Sequence, residues 1–214
     1  MWSYEKRLQF PVNIKEPNAK LAQVIISQYG GPDGEMGASM RYLSQRYSMP
    51  FKEVAGLLTD IGTEELGHLE MVATIVHQLT RDLSMEEIEK SGFANYYVDH
   101  TIGVWPQAAG GVPFNACEFQ VKGDIITDLH ESMAAEQKAR STYDNILRLI
   151  KDPDVCEPIN RHPGLHTGGE EDHFLQICIA EGAEKDWTAG KRMHTHRRGT
   201  GCGGGDLFQH QWNP

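Results

Sequence analysis

Glu65 and His68 stand three residues apart inside a long amphipathic stretch, Thr63-Glu64-Glu65-Leu66-Gly67-His68-Leu69-Glu70-Met71. On a helix, positions i and i+3 share a face, so the carboxylate and the imidazole can reach one point. The apolar stripe of this helix reads Leu57, Ile61, then Glu65 and His68, then Val72, Ile75 or Val76, and Leu79. The polar pair thus takes positions that core residues should fill. A buried carboxylate without a counter-charge is costly, and a cation or a metal is the usual remedy.

Three further misfits are of the same kind. Glu35 opens a helical pattern that continues through Ser39, Tyr42 and Leu43 to Arg46. Glu136 falls on a stripe of Ile126, Leu129, Met133, Arg140, Tyr143, Leu147 and Ile150. A second Glu-x-x-His, Glu170 with His173, follows later in the chain. A Glu from each of two helices plus a Glu-x-x-His from each of two others is how a four-helix bundle builds a di-iron or di-manganese carboxylate site. Divalent cations bridged by carboxylates explain why so many acids can be buried together. Each residue also has a plainer explanation. Glu65 and His68 can form an internal hydrogen-bonded pair, and Glu35 can be a helix-start carboxylate favoured by the dipole. Glu136 can pair with Arg140 one turn on. Glu170-Glu171-Asp172 can be an exposed acidic helix start, and His194 and His196 can belong to a solvated basic tail.

The elements that must position these residues follow from the pattern. Residues 1–17 read as an extended arm, with Pro11 and Pro17 discouraging helix. Asn18 is a suitable N-cap for a helix with Leu21, Val24, Ile25 and Gln28 on one face. Gly30-Gly31-Pro32-Asp33-Gly34 should break that helix, with Pro32 in the first turn of the next. Ser48-Met49-Pro50 is short enough to make the next helix, over residues 51–79, an antiparallel neighbour. Ser84-Met85-Glu86-Glu87 is a capping-box pattern. Residues 96–120 show neither helical nor strand periodicity and read as a long, aromatic crossover. Helix resumes from Asp124 and stops at Lys151-Asp152-Pro153-Asp154. A breaker-rich segment from Arg161 to Gly169 precedes a short helical pattern, and residues 183–214 read as a basic, then glycine-rich, tail without a core face.

With 214 residues and 39% hydrophobic content, a single domain can bury a core of ordinary size. A formal charge of −10 argues against nucleic acid as a partner, because phosphate binding needs a basic face. No apolar run reaches the length of a membrane span, and Met1-Trp2-Ser3-Tyr4-Glu5-Lys6-Arg7 lacks a signal-peptide core, so the cytoplasm is the expected location. Cys117, Cys156, Cys178 and Cys202 form no CxxC pair and are expected to be free thiols.

At the residues of the constellation the chain resembles the manganese catalases, and in particular their short spore-coat members of the CotJC type. The matching text is Gly30 to Glu35, Arg41 to Arg46, Gly62 to Met71, Gly111-Val112-Pro113, Gln120 to Asp124 and Ala134 to Arg140. These blocks lie within residues 1–158. The resemblance implies an all-α, ferritin-like four-helix bundle over residues 18–182, with the long crossover between its second and third helices. It implies two manganese ions, iron being the alternative, with Glu35, Glu65, His68, Glu136 and His173 as ligands. Glu170 would then shuttle protons, Glu136 would bridge the metals, and Arg140 would support the site from outside. The implied activity is dismutation of hydrogen peroxide. A ferritin-like di-iron oxidase or ferroxidase, or a spore-coat structural protein with an incomplete site, are the alternatives. The family forms homo-oligomers, commonly hexamers, and the coat resemblance adds spore-coat proteins as partners and the spore coat as a location. One departure stands out. The family continues after the position of Pro158 into an uninterrupted fourth helix, whereas this chain has its proline and glycine segment there and carries Glu170 and His173 a few residues downstream.

Overall fold

The arm, helices and crossover are visible in a computed structural model that describes residues 4–161. Helices α1 (Ala19–Ile25) and α2 (Ser27–Gly30) lead through a turn to α3 (Glu35–Gln45). A 3-10 turn (Arg46–Ser48) then reverses the chain into α4 (Lys52–Thr80), the longest helix described. Next come α5 (Met85–Ser91), α6 (Ala94–His100), a second 3-10 turn (Ala116–Phe119), α7 (Ile125–Leu149) and α8 (Pro153–Asn160). Among the described residues there is no β-strand, only an isolated bridge between Gln107 and Pro113. No described helix is long and apolar enough to cross a membrane.

The caps follow the local rules. The Asn18 side chain accepts from the Leu21 N–H, Asp124 accepts from the Thr127 N–H, and Ser84 with Glu87 completes a capping box. Two expectations need correction. Residues 96–100 belong to α6, where Phe93, Tyr96, His100 and Trp105 form a run of stacked and edge-on ring contacts. Ring packing of this kind stabilises a helical turn that has no apolar periodicity of its own. Pro32 lies in the turn ahead of α3 rather than in its first helical turn, because the backbone does not become helical until Glu35. The helical pattern around Glu170 and His173, and the tail from residue 183, lie outside the described residues.

Hydrogen bonds fasten the N-terminal arm to α4. Gln78 accepts from the Ile14 N–H at 2.7 Å and donates to the Val12 carbonyl at 2.9 Å, while Arg81 donates to the Ile14 carbonyl at 2.7 Å. Ile14 is fully buried as a result. The crossover is fastened to α3 by Arg41, a buried guanidinium that donates to the carbonyls of Phe119 and Glu118. It also touches the end of α2, where a Cβ on Gly30 would lie 2.4 Å from the backbone of Pro106 and Gln107. Backbone on both sides cannot yield as a flexible side chain would. Gly30→Ala is therefore expected to destabilise the fold by about 1–3 kcal/mol, read as a fall of several degrees in a thermal melt. An unchanged melting temperature would show that the crossover is free to move.

The apolar core is in two parts, and their arrangement fixes where the polar residues sit. One cluster takes Ile25 and Ile26 from the first helices, Val72, Ile75 and Leu79 from α4, and Tyr143 and Ile146 from α7. The other takes Tyr42 from α3, Val54, Leu58 and Ile61 from α4, and Leu129 from α7. Along α4, Glu65 and His68 fall between the two clusters; along α7, Glu136 does. The fold thus holds a polar slice between two apolar layers that exclude water from it. Helices α3 and α4 come close at Gly62, where an added Cβ would press on Leu43 and Tyr42 and where the Ser39 hydroxyl donates to the Gly62 carbonyl at 2.7 Å.

Candidate metal centre

Glu35, Glu65 and His68 converge. One ligand atom from each lies within 4.8 Å of the others, and all three residues are buried. The second and third come from the middle of a 29-residue helix, which is rigid there, and Glu35 comes from the first turn of α3. His68 Nδ1 and Glu65 Oε2 are 2.8 Å apart, and His68 Nε2 is 3.9 Å from Glu64 at the surface edge. The helical spacing of Glu-x-x-His thus does what it requires, aiming both groups at one point.

Glu136 is also buried, at 7% exposure. It accepts a hydrogen bond from the Tyr42 hydroxyl, and the charge of Glu65 also acts on that phenol. Tyr143 in turn donates to Glu35. The two contacts are reciprocal. Helix α3 offers Glu35 and, seven residues on, Tyr42; helix α7 offers Glu136 and, seven residues on, Tyr143. The helices run antiparallel, so each carboxylate meets the phenol of the other helix. Gln45 and Ser132 extend the same register, the Ser132 hydroxyl donating to Gln45 Oε1 at 2.8 Å.

Burial sets the electrostatics. It pushes the Glu35 carboxyl well above the ordinary carboxylate range, and the neighbouring Glu65 carboxylate adds to the rise, with His68 and the Tyr143 hydroxyl pulling the other way. Burial, then the adjoining glutamates, also raise Tyr42 and Tyr143 well above the usual phenol range, so both remain O–H donors. Several acids held out of water in one slice fit a divalent cation, whose charge offsets them all at once. Carboxylate oxygens with one imidazole nitrogen suit manganese or iron, and among the described residues no cysteine joins the convergent group. Cys117 is exposed and Cys156 half-buried, both free.

Among the residues expected here, the structure brings Glu35, Glu65 and His68 within 4.8 Å of one another and buries Glu136 against the Tyr42 hydroxyl; Glu170 and His173 lie outside the described residues. Arg140 is not brought to the site. Its side chain is 42% exposed, donates to Gln137 and bonds Asp144 at 3.2 Å. The inward face of α7 runs through Asp128, Leu129, Ser132, Glu136, Tyr143 and Ile146, which leaves Arg140 on the flank. Tyr42 and Tyr143 are site residues that a search for ligands alone passes over. Their signal is the repeated Glu-x6-Tyr, two helical turns, on both helices.

The chain is similar to known proteins. Residues 1–161 match the model of the family described as manganese containing catalase. The chain is 52% identical over 159 residues to Protein CotJC of Bacillus subtilis, covering 74% of this chain and 84% of that one. It is 33% identical over 162 residues to a probable manganese catalase of Clostridium acetobutylicum, covering 75% and 72%. Among solved structures, wild-type KatB, a manganese catalase from Anabaena, superposes with a TM-score of 0.72 at 26% identity, covering 100% of this chain and 87% of that one. The helices are therefore those of a ferritin-like bundle, and the chain belongs to the manganese-containing catalase family.

Proposed function

We propose that the chain dismutates hydrogen peroxide, two molecules giving two of water and one of oxygen, at a dinuclear manganese centre. Its ligands are Glu35, Glu65, His68 and Glu136, with His173 as the fifth and Glu170 moving protons. The observation that carries this reading is the buried convergence of Glu35, Glu65 and His68 inside a family of catalases. Manganese held by these residues would supply the two-electron redox chemistry that dismutation of peroxide needs. The chain's own residues do the rest. Glu35 and Glu136 present carboxylates that accept hydrogen bonds from the Tyr143 and Tyr42 hydroxyls. The apolar clusters on either side keep bulk water from the slice, which strengthens every interaction within it.

Oxygen release from peroxide by manganese-reconstituted protein, measured with an electrode, tests the reading. One oxygen per two peroxides is expected, and fully loaded protein that releases none sinks it. The donors do not by themselves select manganese over iron. Metal analysis of protein from its native host decides that choice. Assembly of the chain with its own copies, and a place in a spore coat, belong to the same proposal. Exposed Ile102, Trp105 and Val112 on the crossover support the former. Sedimentation of the metal-loaded protein as a monomer would refute it.

A further inference from the structure

Glu35 differs from the other convergent groups in how it is held. Glu65 and His68 are fixed by the middle of a long helix, but Glu35 is the first residue of α3, and its N-cap, Gly34, makes no side-chain cap bond. A side chain at such an end depends on tertiary contacts for its position. One such contact is the Tyr143 hydroxyl, from a phenol only 2% exposed. Behind it lies Gln28 of α2, fully buried, whose amide adjoins the Tyr143 hydroxyl. Among the described residues neither Gln28 Oε1 nor Nε2 completes a well-formed hydrogen bond. A buried amide in that state costs more than a methionine or leucine of the same size would. Packing therefore does not account for a glutamine here, whereas a polar role toward the phenol does.

We propose that Tyr143 is a positioning residue for Glu35 and that Gln28 orients the phenol from behind. Together α2, α3 and α7 then hold the Glu35 carboxylate in the orientation in which it meets a divalent metal. Hydrogen bonds to ligating carboxylates act in this way elsewhere. The inference rests on the metal-centre reading of the same residues.

The test is binding of cobalt(II) and manganese(II) by the full chain, measured by competition with a chromophoric chelator, with the cobalt absorption spectrum recorded alongside. Tyr143→Phe is expected to weaken binding by about 10–100-fold and to shift the cobalt bands, while helical content stays unchanged. Gln28→Met should weaken binding less, and should add nothing in the Tyr143→Phe background, since its effect passes through the phenol. Unchanged affinity and spectrum in Tyr143→Phe would overturn the proposal, and independent, additive losses would remove Gln28 from it. Should Tyr143→Phe fail to fold, Gln28→Met carries the test alone: weaker binding supports the proposal and unchanged binding overturns it. Glu65→Ala separates the two levels. If the wild type and Glu65→Ala bind metal equally, the metal-centre reading has failed. If Glu65→Ala alone loses metal, only the positioning role has failed.

Discussion

Glu65→Ala is expected to remove both metal and oxygen release. Glu65 stands close to the rest of the site: it touches His68 at 2.8 Å, converges with Glu35, and its charge acts on the Tyr42 phenol that bonds Glu136. Its loss takes away a donor and also a charge that the cation offsets, so metal affinity should fall by more than the roughly 10–100-fold that outer partners cost. Folding should survive, because alanine is a strong helix former and the site is the middle of α4. Metal content by mass spectrometry after desalting, with oxygen release on the same sample, checks both. Retention of full metal would show that Glu65 is not a ligand. His68→Ala should behave alike, since the imidazole contributes to the same point.

Removing the metal should destabilise the protein, and more at neutral pH than at pH 5. In the metal-free fold, burial and Glu65 raise the Glu35 carboxyl well above its ordinary value of 4.5. Below that value both the folded and the unfolded chain hold the proton, and no stability is lost. As pH rises above it, the unfolded chain releases the proton first, so folding is progressively disfavoured until Glu35 ionises in the fold as well. A bound divalent cation reverses the balance, because it favours the ionised carboxylate. Binding must therefore release protons and strengthen as pH rises through that window. Ligand linkage gives the scale: one site at 1,000 times its Kd adds about 4 kcal/mol. Thermal melts with and without chelator at pH 5, 6 and 7 should diverge increasingly, and calorimetry in buffers of different ionisation enthalpy should count released protons. Melts that coincide at every pH would contradict a metal in this slice.

The outcome bears on how the residues were legible. Glu65 and His68 were readable because both lie in one helix, where 3.6-residue periodicity sets an apolar stripe and exposes polar intruders. Glu35 and Glu136 were readable by the same rule, and the antiparallel turn at Ser48-Met49-Pro50 placed α3 beside α4. Residues 96–100 escaped, because α6 is held by ring contacts with Phe93 and Trp105 rather than by its own periodicity. The place of Arg140 on the flank of α7 was hidden for a related reason. Periodicity gives the stripe to within about one residue, and Ser132, Glu136, Tyr143 and Ile146 show where its centre falls.

Local spacing in the sequence determined that carboxylates and an imidazole would share the inward faces of their helices, since helical geometry is set by the backbone and repeats along the chain. Which inward groups meet was decided only by the tertiary structure. The pairing of Tyr42 with Glu136 and of Tyr143 with Glu35 depends on the antiparallel register of α3 and α7, two helices separated by the whole of α4 and the crossover. That register is fixed by side-chain packing in the two apolar clusters and by the close approach at Gly62, which no local pattern encodes.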